Sequence, residues 1–106
     1  MKSIIASMAV AAGLMVAGSA MAADMPAVAK KNNCTTCHTI DKKLVGPAWS
    51  DVAKKYKGDA TAAAKLTDKV AKGGAGVWGA VPMPPNPQVN PADMKELIGF
   101  VLGLAN

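Results

Sequence analysis

The apolar and polar positions that follow residue 23 repeat at the spacing of short helices joined by glycine- and proline-rich loops. We predict three such helices, over about residues 24–31, 47–57 and 60–72. Asp24 caps the first, which has Pro26 in its first turn. Pro47 opens the second, and Gly58 and Gly73 end the second and the third.

The strongest pattern is that of a fourth helix near the end of the chain. Asn90 is the predicted N-cap, Pro91 the first helical residue, and Asp93 completes a start that resembles a capping box. Five apolar residues then form one stripe, at Met94, Leu97, Ile98, Val101 and Leu102. No stretch alternates apolar and polar residues, so we predict an all-α domain of about four short helices. The long irregular segment 73–90 is typical of a functional loop.

The first 22 residues have the pattern of a cleaved secretory signal peptide. Lys2 precedes an apolar run over residues 4–16, and Ala20 and Ala22 are the small residues that a signal peptidase recognises. A retained membrane anchor is the alternative, because no charge occurs between Lys2 and Asp24. The many small residues and the lack of a basic flank favour cleavage after about Ala22. The folded domain is then residues 23–106.

Composition narrows the classes of function. A chain of 106 residues is long enough for one small domain, which usually needs a metal, a disulfide or a cofactor for stability. The net charge of +5 comes from lysines alone, spread along the chain. Such a charge suits weak docking to acidic protein surfaces, whereas nucleic-acid binding favours a clustered basic stripe with arginine.

Both cysteines and the single histidine lie in the segment Cys34-Thr35-Thr36-Cys37-His38. A disulfide between Cys34 and Cys37 would close too short a loop to constrain the chain. A thioredoxin-like pair would follow a strand, which is not predicted, and a zinc site would need further ligands. C-x-x-C-H is the signature of covalent haem attachment, in which both thiols add to the haem vinyl groups and His38 binds the iron.

The opposite face of the iron needs a second ligand if the haem carries electrons rather than binding gases. With no second histidine, the candidates are Met25, Met83 and Met94. Met94 begins the apolar stripe and Met25 lies near the start of the domain. Met83 lies among prolines in residues 81–86, which hold the chain stiff and extended. We therefore predict His38 and Met83 as the axial ligands.

These motifs together resemble the short class I cytochromes c of denitrifying and related bacteria, the cytochrome c five-fifty-one type. The resemblance extends over residues 23–106 and rests on segments 34–38, 45–48, 76–79 and 82–86, and on the final helix. It implies that Pro47 accepts a hydrogen bond from the proximal histidine and that Trp78 donates one to a haem propionate. It also implies that Asn86 hydrogen-bonds near the methionine sulfur and that Lys69 neutralises a propionate.

The sequence departs from the family pattern at two positions. Asn33 stands where the family often has glycine, and Ala29 stands where an aromatic residue often packs on the last helix, although Phe100 is kept. The departure at Ala29 predicts a looser crossing of the terminal helices.

We expect a soluble periplasmic one-electron carrier and not an enzyme, with haem c as its cofactor. The alternative is a haem domain that binds ligands or acts like a peroxidase. The resemblance implies transient redox partners of the membrane cytochrome complex, nitrite reductase or terminal oxidase type. We expect a monomer without stable membrane association. Four lysines flank the attachment motif and are candidates for steering acidic partners: Lys30, Lys31, Lys42 and Lys43.

Overall fold

A computed structural model describes residues 24–105, which form four α-helices and a small β-hairpin. The elements are α1 (Ala27–Lys31), a 3-10 turn (Cys34–Thr36), α2 (Trp49–Tyr56), α3 (Ala62–Lys72), β1 (Gly74–Gly76), β2 (Gly79–Met83) and α4 (Pro91–Gly103). The predicted signal peptide, residues 1–22, lies outside the described residues. Within the described range, no helix is both long and apolar enough to cross a bilayer.

The last helix, α4, is the centre of the core. Its start agrees with the prediction, because the Asn90 side chain accepts a hydrogen bond of 2.8 Å from the Asp93 N–H and Pro91 is the first helical residue. Four of the five stripe residues are buried, namely Met94, Leu97, Ile98 and Val101. Burial of each such side chain contributes about 1.5–3 kcal/mol, so the helix is held mainly by its apolar face.

The other three helices each supply apolar side chains to this core. The buried partners of α4 are Val28 and Ala29 from α1, Trp49 and Val52 from α2, and Leu66 from α3. Phe100 packs edge-on against Trp49, with ring centroids 5.9 Å apart. Phe100 therefore has an aromatic partner from α2 in place of one from α1.

A polar contact ties α1 to the start of α4. The Asn32 side chain is almost fully buried and donates to the Val28 carbonyl at 2.9 Å and to the Asp93 carboxylate at 3.3 Å. The Lys31 ammonium lies 2.9 Å from the same carboxylate. These two donors, Lys31 first, lower the pKa of Asp93. Ala29 itself is fully buried, so the terminal helices pack closely at the position where a looser crossing was expected.

The predicted start of α1 is wrong. The helix begins at Ala27 with Pro26 in the N-cap position, and no side chain caps it. Asp24 lies two residues before that position and has no capping role. A proline at the boundary already supplies a restricted φ and lacks the N–H that a cap would satisfy.

Two further helices begin two residues later than predicted, because backbone groups of the predicted first turn make other hydrogen bonds, which are tertiary at α2 and local at α3. At α2, the N–H groups of Trp49 and Ser50 donate to carbonyls of residues 39 and 40, at 3.0 and 2.8 Å. At α3, the Asp59 carboxylate accepts from both the N–H and the hydroxyl of Thr61 and so forms a turn.

The hairpin is the main difference from the predicted all-α domain. β1 and β2 are antiparallel, pairing Gly76 with Gly79 and Gly74 with Met83 around an irregularity. All three glycines have positive φ, a conformation that other residues rarely adopt. A strand built of glycine and proline has no apolar alternation, which is why the sequence pattern did not indicate it.

Candidate haem-binding site

The attachment motif folds as a tight turn directly after α1. The N–H groups of Cys37 and His38 both donate to the Cys34 carbonyl, at 3.2 and 3.0 Å, so the three side chains leave one compact turn. Asn33 precedes the turn with φ of 62°, in the left-handed region. Glycine and asparagine are the residues that tolerate this conformation, which accounts for Asn33 where the family often has glycine. Burial raises the pKa of the Cys34 thiol, which favours its protonated form.

The His38 ring is fixed from several directions. Its Nδ1 lies 2.8 Å from the Pro47 carbonyl oxygen. Because a carbonyl only accepts, Nδ1 must carry the proton, and Nε2 is left with a lone pair for a metal. A Cβ placed on Gly46 would lie 2.5 Å from Cε1 of the ring, so only glycine fits there. Trp49 packs on the ring with centroids 5.7 Å apart.

Met83 ends β2 and is the second residue of the proline-rich strap, which we define as residues 82–87. The strap passes very close to the C-terminal end of α3: a Cβ on Gly73 would collide with the Met83 carbonyl oxygen and with backbone atoms of Pro84 and Pro85. Gly73 also has φ of 75°, which disfavours any larger residue. Gly73 therefore ends α3, and its lack of a side chain allows the strap to pack against the end of this helix.

Asn86 fastens the strap to α3. Its backbone N–H donates to the carbonyls of Val70 and Ala71, at 3.0 and 3.3 Å. Its side-chain amide donates to the Pro84 carbonyl at 3.0 Å and to the Val70 carbonyl at 3.3 Å. Asn86 therefore anchors the strap to α3 through both its backbone N–H and its side-chain amide.

Trp78 and Lys69 lie at the rim of the same region. Trp78 occupies the tip of the hairpin and is 43% exposed. The Lys69 ammonium approaches Gly74, where a Cβ would lie 2.8 Å from it. The Lys69 side chain therefore extends from the last turn of α3 to β1.

One cavity of about 540 Å³ brings all of the predicted site residues together. Its lining includes Cys34, Cys37, His38, Pro47, Lys69, Trp78, Met83 and Asn86. Aliphatic side chains from α2, α3 and α4 form much of the remaining wall, and the size is that of a cofactor site.

The donor set of this cavity fits a covalently bound haem. Two thiols and an imidazole lie on one turn, a thioether lies on the strap, and the wall is mostly apolar. Within residues 24–105, no three His, Cys, Asp or Glu side chains are grouped as a bare metal ion would require. A large apolar ring that brings its own four iron ligands suits such a lining better than a bare ion does.

Helices around an apolar cavity, with C-x-x-C-H on its wall, define a small class I c-type cytochrome. The cytochrome c family profile matches residues 22–105, and the chain belongs to this family. As in its relatives, the cofactor is haem c, bound through the attachment motif, and the protein is an electron carrier.

Several relatives are similar over most of their length. The chain is 52% identical to cytochrome c-551 of Allochromatium vinosum, covering 86% of this chain and 95% of that protein. It is 44% identical to cytochrome c-551 of Pseudomonas aeruginosa, covering 87% and 88%. The crystal structure of Nitrosomonas europaea cytochrome c552 superposes with a TM-score of 0.71 at 49% identity, covering 74% of this chain and 96% of that one. The predicted family and fold are confirmed.

Sequence reasoning missed three residues that shape the site: Gly46, Trp49 and Gly73. Gly73 was assigned only as the end of a helix. A Gly-Pro pair shortly after a lone histidine is the signal that would have indicated Gly46, since such pairs bring backbone close to other groups. Trp49 has no comparable signal, because its contact with His38 depends on where α2 packs.

Proposed function

We propose that the chain is a soluble periplasmic one-electron carrier whose haem is held by thioethers from Cys34 and Cys37 and by axial bonds from His38 and Met83. The observation that carries this proposal is that His38 and Met83, distant in sequence, line one apolar cavity. With both axial positions filled by the protein, no substrate reaches the iron, so the function is carriage and not catalysis.

Haem c supplies an iron that gains one electron from a donor and loses it to an acceptor. The chain holds the ligand atoms in place for both states. The Pro47 carbonyl fixes the His38 ring and raises its basicity, while the Met83 thioether favours the ferrous state. The apolar wall acts in the same direction, because an added ferric charge is poorly solvated there.

The polar residues of the cavity have roles that the resemblance suggests. Trp78 and Lys69 both line the cavity, which supports the proposal that they bind the haem propionates. Asn86 is proposed to act on Met83 through the strap, since its amide holds the Pro84 carbonyl. The indole N–H and the ammonium are both donors, as a carboxylate requires.

The partners are proposed to be redox proteins that dock transiently, such as a membrane cytochrome complex, a nitrite reductase or a terminal oxidase. Lys43 lines the cavity and is the best placed of the four candidate lysines to steer them. Lys31 is less suited, because its charge is paired with Asp93. We expect association to slow with added salt, and Lys43→Gln to weaken that salt dependence more than Lys31→Gln. Equal salt slopes in both variants would remove the steering proposal.

Export to the periplasm is proposed on the signal-peptide pattern of residues 1–22. The family match begins at residue 22, beside the predicted cleavage after Ala22. Mass spectrometry of the protein purified from the periplasm tests this, because cleavage gives an N-terminus at Ala23. A full-length chain in the membrane fraction would instead support the retained anchor.

The ligation of Met83 is tested by the visible spectrum of the ferric protein. Met83→Leu is expected to lose the weak far-red sulfur-to-iron band and to become high-spin. Met94→Leu is the matched control, since Met94 is a buried core residue of α4 and its replacement should keep the band. A high-spin spectrum in the unmodified protein would instead favour the haem domain that binds ligands or acts like a peroxidase.

A further inference from the structure

A lysine from α2 lies over the tryptophan at the tip of the hairpin. The Lys55 Nζ is 6.0 Å from the centroid of the Trp78 ring and 5.8 Å from that of the neighbouring Tyr56 ring. Both distances lie within the range at which an ammonium is attracted to an aromatic face. The ammonium therefore joins the last turn of α2 to the hairpin tip.

The hairpin offers few other contacts that would fix this tip. The residues of both strands are largely exposed, and the strands contact each other more than they contact any helix. Gly76 and Gly79 flank the tip with positive φ, and glycine leaves the backbone conformationally free. A side-chain contact at Trp78 thus has a large share in fixing the position of the indole.

The charge of Lys55 is also uncompensated. The three ion-paired lysines, Lys31, Lys65 and Lys72, each lie 2.9 Å from an aspartate. For Lys55 the described part of the chain provides no such partner. Trp78 lines the haem cavity, so the contact holds this positive charge near the cofactor, where it disfavours the ferric state.

We propose that Lys55 is a positioning residue: it fixes Trp78 at the rim of the haem cavity, and its charge raises the reduction potential. The proposal depends on the bound haem but not on the identity of the axial ligands or of the redox partners.

The test compares Lys55→Met, Lys55→Arg and the matched control Lys54→Met in the haem-containing protein. Lys54 is the preceding exposed residue of α2, and successive residues are about 100° apart around the helix. Lys54→Met therefore removes the same charge from a different direction. The reduction potential is measured by spectroelectrochemical titration. Exchange of the Trp78 indole N–H is followed by NMR of the ferrous protein, with the signal assigned by Trp78→Phe.

We expect Lys55→Met to lower the potential more than Lys54→Met does, and to make indole exchange about two- to fivefold faster. Lys55→Arg should restore both values, because a guanidinium also binds an aromatic face. Equal potentials in the two methionine variants, or an indole exchange rate in Lys55→Met equal to that of the unmodified protein, would overturn the proposal. A colourless protein would overturn the haem assignment itself, which is a separate and visible outcome.

Discussion

The fit of Gly46 against His38 makes Gly46→Ala the most informative single substitution. The new Cβ would lie 2.5 Å from Cε1, 3.0 Å from Nδ1 and 3.2 Å from Nε2 of the imidazole, whereas ordinary contacts begin at 3.4 Å. The new Cβ and the Cε1 atom of His38 must therefore move apart by about 0.9 Å. The backbone cannot easily supply it, because the Gly46 N–H donates to the Cys37 carbonyl at 2.8 Å and its carbonyl accepts from the Leu44 N–H at 3.1 Å.

The ring must then move, and its hydrogen bond to Pro47 is stretched from 2.8 Å beyond bonding distance. Overpacking of this kind costs about 1–3 kcal/mol, and loss of one hydrogen bond about 0.5–1.5 kcal/mol. Together we expect a loss of about 2–4 kcal/mol in the free energy of unfolding. In a domain of this size that lowers the melting temperature by roughly 8 °C or more.

The assay is thermal and guanidinium unfolding of the haem-containing protein, followed by absorbance. The reduction potential should rise at the same time, because an imidazole without its acceptor is less basic and stabilises the ferric iron less. Gly99→Ala is the control: a Cβ there meets nothing within 4 Å inside α4, and we expect it to be neutral or to stabilise by roughly 0.5–1 kcal/mol. The reasoning is refuted if Gly46→Ala unfolds at the same midpoint as the unmodified protein.

Two further substitutions test the contacts that hold α1 and the strap. The pKa of Asp93 is lowered in the fold, so its stabilising effect is present above the ordinary value of 3.8 and is lost as the pH falls through the lower folded value. Asp93→Asn should therefore lower the urea midpoint at pH 7 and lower it less at pH 3; an equal decrease at both would contradict the assignment. Asn86→Ala removes the amide donated to Pro84 and Val70, and should speed displacement of Met83 by added imidazole. Displacement as slow as in Gln88→Ala would show that the amide does not secure the strap.

The parts of the fold that sequence alone predicted are those in which local chemistry and packing agree. Asn90, Pro91 and the stripe from Met94 onward all favour the same helix, and α4 has the predicted start. Asp24 has the local preference of an N-cap residue, but Pro26 occupies the N-cap position of α1. At α2 the predicted first turn is used instead for tertiary hydrogen bonds to residues 39 and 40.

The site, like the fold, has features that local sequence predicts and features that depend on the folded chain. The attachment motif was visible in the sequence because its chemistry is carried by residue type and spacing, and Met83 was predicted as a ligand from the prolines around it. The hairpin and the fit at Gly46 were not, because both depend on backbone conformations and close approaches that only the folded chain defines. Asn86 was predicted as a residue of the site and lines the cavity, yet the contacts of its amide with the Pro84 and Val70 carbonyls required the structure.

His38 and Met83, which line the cavity, are not held equally firmly. His38 follows Cys37 directly, so the imidazole stays beside the cofactor for as long as the covalent attachment lasts. Met83 belongs to a separate segment, which is attached to α3 by a few hydrogen bonds and by close packing against Gly73. A partial unfolding limited to residues 73–90 would free the sulfur and leave everything else attached. With Met83 as the proposed second axial ligand, mild denaturant should thus open one coordination position of the haem iron to carbon monoxide well before the helices melt.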